Sequence, residues 1–203
     1  SLITDKTRLL VLINPNNPDG KIWHADNILE DGKLTIIDES FCDLVPEKSL
    51  IRYAKNQGVI VLKSFGKFWG LAGLRFGCAI GLPKTLQALK DTLGPWAASG
   101  PALFIANSAL SDRRWITNNR ARLNKDVLNL DKILLKNDIK VIGGTSLFRL
   151  ISIKDPKKLQ DKLCQRKILT RTFPYSEAFL RLGIPHKPEH WKRIENALRD
   201  IKL

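Results

Sequence analysis

The chain has 203 residues, 43% of them hydrophobic and 27% charged, the balance of a soluble globular protein with room for one core or slightly more. No apolar run is long enough to cross a bilayer, which excludes a membrane-spanning helix. The net charge of +14 points toward anionic ligands, but the lysines and arginines are scattered over every predicted helix and no nucleic-acid-binding signature appears.

The first predicted element is Leu9–Ile13, LLVLI, a continuous apolar run of the kind a parallel strand buried on both faces requires. It stops at Asn14–Gly20, NPNNPDG, whose prolines, asparagines and glycine make a loop at the strand's carboxyl end. Leu34–Ile37 is the next buried strand, and it ends in Asp38-Glu39-Ser40-Phe41. A carboxylate at such an edge can hold a proton on a ring nitrogen. Glu47–Asn56 reads as a short helix closed by Gly58. Val59–Leu62 is a third strand and Phe76–Ile80 a fourth.

Between them lies SFGKFWGLAGLRFG, Ser64–Gly77. It sets Lys67 among small residues, with Arg75 further on. A lysine at the mouth of a parallel sheet, flanked by glycines that admit other groups, suits condensation with an aldehyde.

Pro83–Leu93 is a helix that opens on proline and stops at Gly94. A second helix runs from about Pro101 to Leu110. Ser111 is expected to cap a long third helix to about Lys136, with Trp115, Leu123, Val127, Leu130 and Leu134 on its buried stripe. Lys140–Ile142 and Leu147–Ile153 read as strands joined by a turn at Gly143-Gly144. Asp155 caps a short helix. Ile168–Thr170 and Phe179–Ile184 are further strands, and Glu189–Leu203 a final amphipathic helix.

Arg181 stands out within its strand, where a charge is costly unless paired; a guanidinium there can fork onto a carboxylate. Cys42, Cys78 and Cys164 have no metal or redox spacing and read as reduced core thiols. His24, His186 and His190 are too dispersed to bind a metal.

These motifs, in this order, resemble the class I/II aminotransferase superfamily of fold-type I pyridoxal-phosphate (PLP) enzymes. The carrying segments are NPNNPDG (with Asp19 where threonine is common), DESF, SFGKFWGLAGLRFG and FLRLGI. The resemblance implies an α/β fold: a partial, mainly parallel sheet from the large cofactor domain, plus a small α+β domain. The expected division is 1–95, a helical bridge 96–136, and 137–203.

By the same resemblance, Lys67 carries the cofactor and Asp38 pairs with its ring nitrogen. Asn17 bonds its phenolic oxygen, and Ser64 and Arg75 hold its phosphate. Phe41 stands where many members have a tyrosine. Arg181 and Asn17 meet the substrate, with Arg171 a second basic residue for a phosphorylated one.

The likeness is strongest to the branch of threonine-phosphate decarboxylases and histidinol-phosphate aminotransferases. It implies decarboxylation of L-threonine-O-3-phosphate in cobalamin biosynthesis, or alternatively transamination of a phosphorylated amino acid. A cytoplasmic homodimer is implied, with no membrane, nucleic-acid or metal partner. Family members carry a long part ahead of the NPxNPTG loop, so the expectation is also of a fragment or inactive remnant that holds PLP poorly and tends to associate through an uncovered sheet edge.

Overall fold

A computed structural model describes residues 3–24 and 33–201, which fall into two compact units. One lies within Ser1–Asn16 and Lys21–Arg113, the other within Asn17–Gly20 and Arg114–Leu203.

The first unit is built on a four-stranded sheet: β1 (Leu9–Ile13), β2 (Leu34–Asp38), β3 (Val59–Ser64) and β4 (Gly77–Ile80), in that spatial order. β1, β2 and β3 are parallel and β4 returns antiparallel to β3. Its core gathers Leu12, Ile37, Leu50, Ala54, Val59 and Val61. The expectation that β1 is buried on both faces fails. Among the described residues it is an edge strand paired with β2 alone, and Leu9 and Val11 remain 48% and 58% exposed.

The segment 47–56 is not an α-helix either. It forms 3-10 turns at Pro46–Lys48 and Ile51–Lys55, separated by an extended Ser49. The reason is competition for its polar groups. The Glu39 carboxylate accepts from Ser49 Oγ and Leu50 N, and Lys48 O accepts from Asn14 Nδ2, so regular helical bonding is pre-empted. Helices α1 (Pro83–Leu93) and α2 (Gly100–Ser111) follow, the latter capped by Ser99, whose hydroxyl accepts from Ala102 N. Ser111 closes α2, donating to Asn107 O, instead of capping the next helix.

The second unit contains α3 (Arg113–Leu135) from Arg114 onward, and an antiparallel sheet of order β5-β6-β8-β7. The strands are β5 (Lys140–Thr145), β6 (Phe148–Ser152), β7 (Arg171–Phe173) and β8 (Ser176–Gly183). Helices α4 (Pro156–Gln165) and α5 (Pro188–Asp200) complete it. The core joins Leu130, Leu134, Ile151, Leu159, Leu163, Leu180 and Leu198. On α3 the buried stripe begins at Ile116 and not Trp115, which stays exposed.

Asp155 caps α4 as expected, accepting from Lys158 N at 2.9 Å. The strand expected at Ile168–Thr170 is absent. Ile168 N bonds Leu163 O, and Thr170 O accepts from Gln160 Nε2. These groups finish α4, and sheet pairing starts only at Arg171. Gly143 and Gly144 lie inside β5, and the turn falls at 146–147. The expected final helix ends at Asp200, and Lys202 and Leu203 lie outside the described residues. Of the cysteines only Cys42 is in the core; Cys164 is exposed.

Leu163 is wholly buried. Its replacement by alanine should cost about 2–5 kcal/mol, read as a lower urea midpoint with an unchanged slope.

Candidate active site

β1 and β2 finish level, and β3 runs two residues further, to Ser64. Ile13 pairs with Asp38, and Asp38 with Leu62. Such a carboxyl edge is where open α/β sheets place ligands. Asp38 is half-buried there. Its Oδ1 accepts from Ser40 N at 2.8 Å, while Oδ2 has no partner among the described residues. Its backbone carbonyl accepts from Asn14 N at 2.8 Å, which ties the start of the NPNNPDG loop to β2.

The lysine loop is packed by its own aromatics. Phe65 stacks on Trp69 at 5.5 Å and tilts against Phe76 at 5.1 Å, and Phe68 meets Trp69 edge-on at 5.2 Å. Phe65, Phe68 and Trp69 are buried, so the turn has a small core of its own. Gly70 closes it at φ 69°, donating to Lys67 O.

This packing leaves Lys67 exposed, its Nζ 5.6 Å from the centre of the Phe41 ring and with no carboxylate partner among the described residues. Ser64 Oγ accepts from Gly66 N at 3.2 Å, which leaves its own proton to donate. Arg75, left-handed at φ 52°, ends a 3-10 turn and is exposed. An exposed amine, a hydroxyl and a guanidinium as donors, with a carboxylate oxygen as acceptor, are chemically suited to an anionic pyridine aldehyde with a protonated ring nitrogen.

Beside this set lies a buried ionic network that the sequence reading does not anticipate. Glu39 is fully buried, and its Oε2 lies 2.8 Å from Lys63 Nζ. Lys63 also reaches Asp43 Oδ1 at 3.3 Å, and Asp43 Oδ2 accepts from Trp69 Nε1 at 2.8 Å. Burial alone would lower the Lys63 pKa, but the hydrogen bond to Glu39 and the charges of Asp43 and Glu39 outweigh it, and the pKa is raised. The Cys42 thiol is pushed up to about 12, mainly by burial and then by Glu39, which leaves it protonated and inert. The one signal in the sequence is Lys63 directly after the apolar run Val59–Leu62, a position that a solvated lysine fills equally well.

The remaining expected residues lie in the second unit. Arg181 on β8 donates from Nη1 to Asn17 Oδ1 at 2.7 Å and sits 5.1 Å over the Phe148 ring. Arg171 on β7 is its direct cross-strand partner. Burial lowers the Arg181 pKa, the Arg171 charge lowers it further, and Tyr175 opposes the shift. Among the described residues no carboxylate pairs with either guanidinium, and no group of three or more His, Cys, Asp or Glu side chains could hold a metal.

Asn17 is held by backbone contacts of its own loop. Gly144 N donates to Asp19 O at 2.9 Å. A Cβ on Gly143 would stand 2.3 Å from Asp19 O, and one on Gly20 would stand 1.9 Å from Gly144 O. The glycines read as a turn are thus the seat on which the loop tip rests.

The family model "Aminotransferase class I and II" matches residues 1–198. The chain is 40% identical over 208 aligned residues to threonine-phosphate decarboxylase of Pseudomonas aeruginosa, covering 98% of this chain and 62% of that protein. It is 29% identical to histidinol-phosphate aminotransferase of Ruminiclostridium cellulolyticum, over 85% of this chain and 50% of the relative. The chain therefore spans only half to 62% of the length of these relatives. Among solved structures, histidinol-phosphate aminotransferase from Sinorhizobium meliloti, in complex with pyridoxal-5'-phosphate, superposes with a TM-score of 0.83 at 21% identity, covering 96% of this chain and 58% of that one.

Gly143→Ala should lift the 17–20 loop and cost about 1–3 kcal/mol by overpacking. The check is urea denaturation together with the Asn17 side-chain amide shifts in NMR, which should move. Unchanged stability and shifts would mean that the loop is not seated on β5.

Proposed function

The chain belongs to the class I and II aminotransferase family, and from that premise we propose that it takes pyridoxal 5'-phosphate at the carboxyl edge of the first sheet and serves the decarboxylation of L-threonine-O-3-phosphate. The observation that carries this reading is the 40% identity to a threonine-phosphate decarboxylase over nearly the whole chain. The product would be the aminopropanol phosphate of cobalamin synthesis, and the setting a cytoplasmic homodimer.

When bound, the cofactor supplies an electron sink for the bond being broken at the substrate's α-carbon. The protein groups do the rest. Lys67 supplies the amine that holds the aldehyde carbon, and later returns a proton to the α-carbon. Asp38 keeps a proton on the ring nitrogen through its open Oδ2. The Ser64 hydroxyl and the Arg75 guanidinium bind phosphate, and the Phe41 ring lines the floor beside Lys67. In the second unit, Arg181 takes the substrate carboxylate by its planar fork, with Asn17 orienting it, and Arg171 serves the substrate phosphate.

Histidinol-phosphate aminotransferase chemistry is the second reading, favoured by the 29% relative. A product assay on the full-length enzyme, with and without a 2-oxo acid acceptor, separates the two. Carbon dioxide release without acceptor supports decarboxylation, and acceptor-dependent amine transfer overturns it.

Two substitutions probe the residue assignments. Lys67→Ala should abolish the visible absorbance of bound cofactor, and borohydride reduction should leave no cofactor on Lys63, whose ammonium is already engaged. Labelling of Lys63 would refute the assignment of Lys67. Arg181→Gln should raise KM by roughly tenfold or more with cofactor affinity unchanged, as loss of a charge-assisted fork implies. Equal loss of both would assign Arg181 to folding.

A further inference from the structure

Lys63 has no part in the chemistry proposed above, yet its charge is buried at some cost. We propose that Lys63 is a positioning residue: its ammonium, clamped between Glu39 and Asp43, fixes the loop that carries Lys67 relative to Asp38.

The connections can be followed atom by atom. Glu39 directly follows Asp38 and is wholly buried. Its carboxylate receives Lys63 Nζ at 2.8 Å, Ser49 Oγ at 2.6 Å and Leu50 N, with Asn14 Nδ2 at 3.5 Å. Lys63 then reaches Asp43, and Asp43 accepts from the indole N–H of Trp69. Trp69 belongs to the same aromatic turn as Lys67 and stacks on Phe65. The β2–β3 ladder registers Asp38 against Leu62 but leaves the turn beyond Ser64 to be placed by other contacts. Pairing with β4, extended by Phe65 N donating to Phe76 O, holds the base of the turn, and the ionic chain from Glu39 to Trp69 links it to the residue after Asp38.

A core that needed only stability would do as well with an apolar side chain at this strand position, because desolvation consumes much of a buried ion pair's attraction. What the pair adds is direction. Lys63 must sit within reach of both carboxylates, one beside Asp38 and one bonded to the lysine loop. The charge is also withheld from cofactor chemistry, since both carboxylates already hold it.

This inference rests on the PLP reading, and its test separates the two. The full-length enzyme and its Lys63→Met and Lys63→Arg variants are compared well below their melting temperatures. Amide hydrogen exchange is measured without cofactor. Lys63→Met should speed exchange at 65–71 by about tenfold or more, with β5–β8 unaffected. PLP is then titrated, reduced with borohydride and located by mass spectrometry. Lys63→Met should weaken cofactor affinity at Lys67 by about tenfold, and Lys63→Arg should recover most of it. If Lys63→Met does not fold, Trp69→Phe cuts only the final link and should weaken affinity in the same direction. Wild-type exchange and affinity in Lys63→Met, or in Trp69→Phe where that variant replaces it, overturn the inference. So does a Lys63→Arg variant that folds but binds no better than Lys63→Met. A wild-type enzyme that loads no PLP on Lys67 overturns the PLP reading instead, and the exchange result then decides the positioning role alone.

Discussion

The first unit depends on one buried charge. Glu39 has no exposed surface, so its carboxylate must be satisfied within the protein. Lys63, Ser49, Leu50 and Asn14 all turn toward it. Removing one partner of such a buried pair typically costs about 3–5 kcal/mol, because the other charge is stranded. Much of the surrounding backbone follows from this demand. The segment after β2 takes 3-10 turns because its donors are directed at Glu39, and Asn14 links the end of β1 to the same centre.

How much of this was legible in the sequence depends on range. Elements decided by local chemistry were readable: α1 spans Pro83–Leu93 as the proline and Gly94 imply, and Asp155 caps α4. The apolar runs of β1 and β2 marked where those strands end to within a residue, whereas β3 continues through the polar Lys63 and Ser64 because β4 pairs with them. Failures occur where a distant group claims local donors. Glu39 accounts for the lost helix at 47–56, and the end of α4 accounts for the lost strand at 168–170. Gly143 and Gly144 read as a turn in the sequence because two adjacent glycines carry no sign of a backbone approaching from Asp19.

The candidate site divides the same way. Lys67 and Asp38 were visible as motif residues, and the fold leaves the Lys67 amine exposed, 5.6 Å from the Phe41 ring. The network that holds their surroundings was not visible. Lys63 at a strand end looks like any solvated lysine, and its two carboxylates lie in another segment of the chain. Only the fold shows that one lysine is free and the other bound. That contrast gives the two lysines different chemistry although only four positions separate them, one within β3 and one in the loop that follows.

The arginines of the second unit present the opposite electrostatic case. Arg171 and Arg181 face each other across β7 and β8 with like charge, an arrangement that weakens a sheet. Arg181 is also partly desolvated, and its pKa is lowered by burial and by its neighbour. Asn17 Oδ1 and the Phe148 ring offer it only a dipole and a quadrupole. Glu39 and Lys63 compensate each other inside the protein, whereas these two guanidiniums do not. A ligand with negative charge would remove the repulsion and keep both forks engaged. Binding energy at this sheet would thus come partly from relieving a cost that the two like charges impose. A neutral group could not gain that term, so in the substrate role proposed for Arg181 and Arg171 the cross-strand pair would favour anionic groups before any finer contact is made.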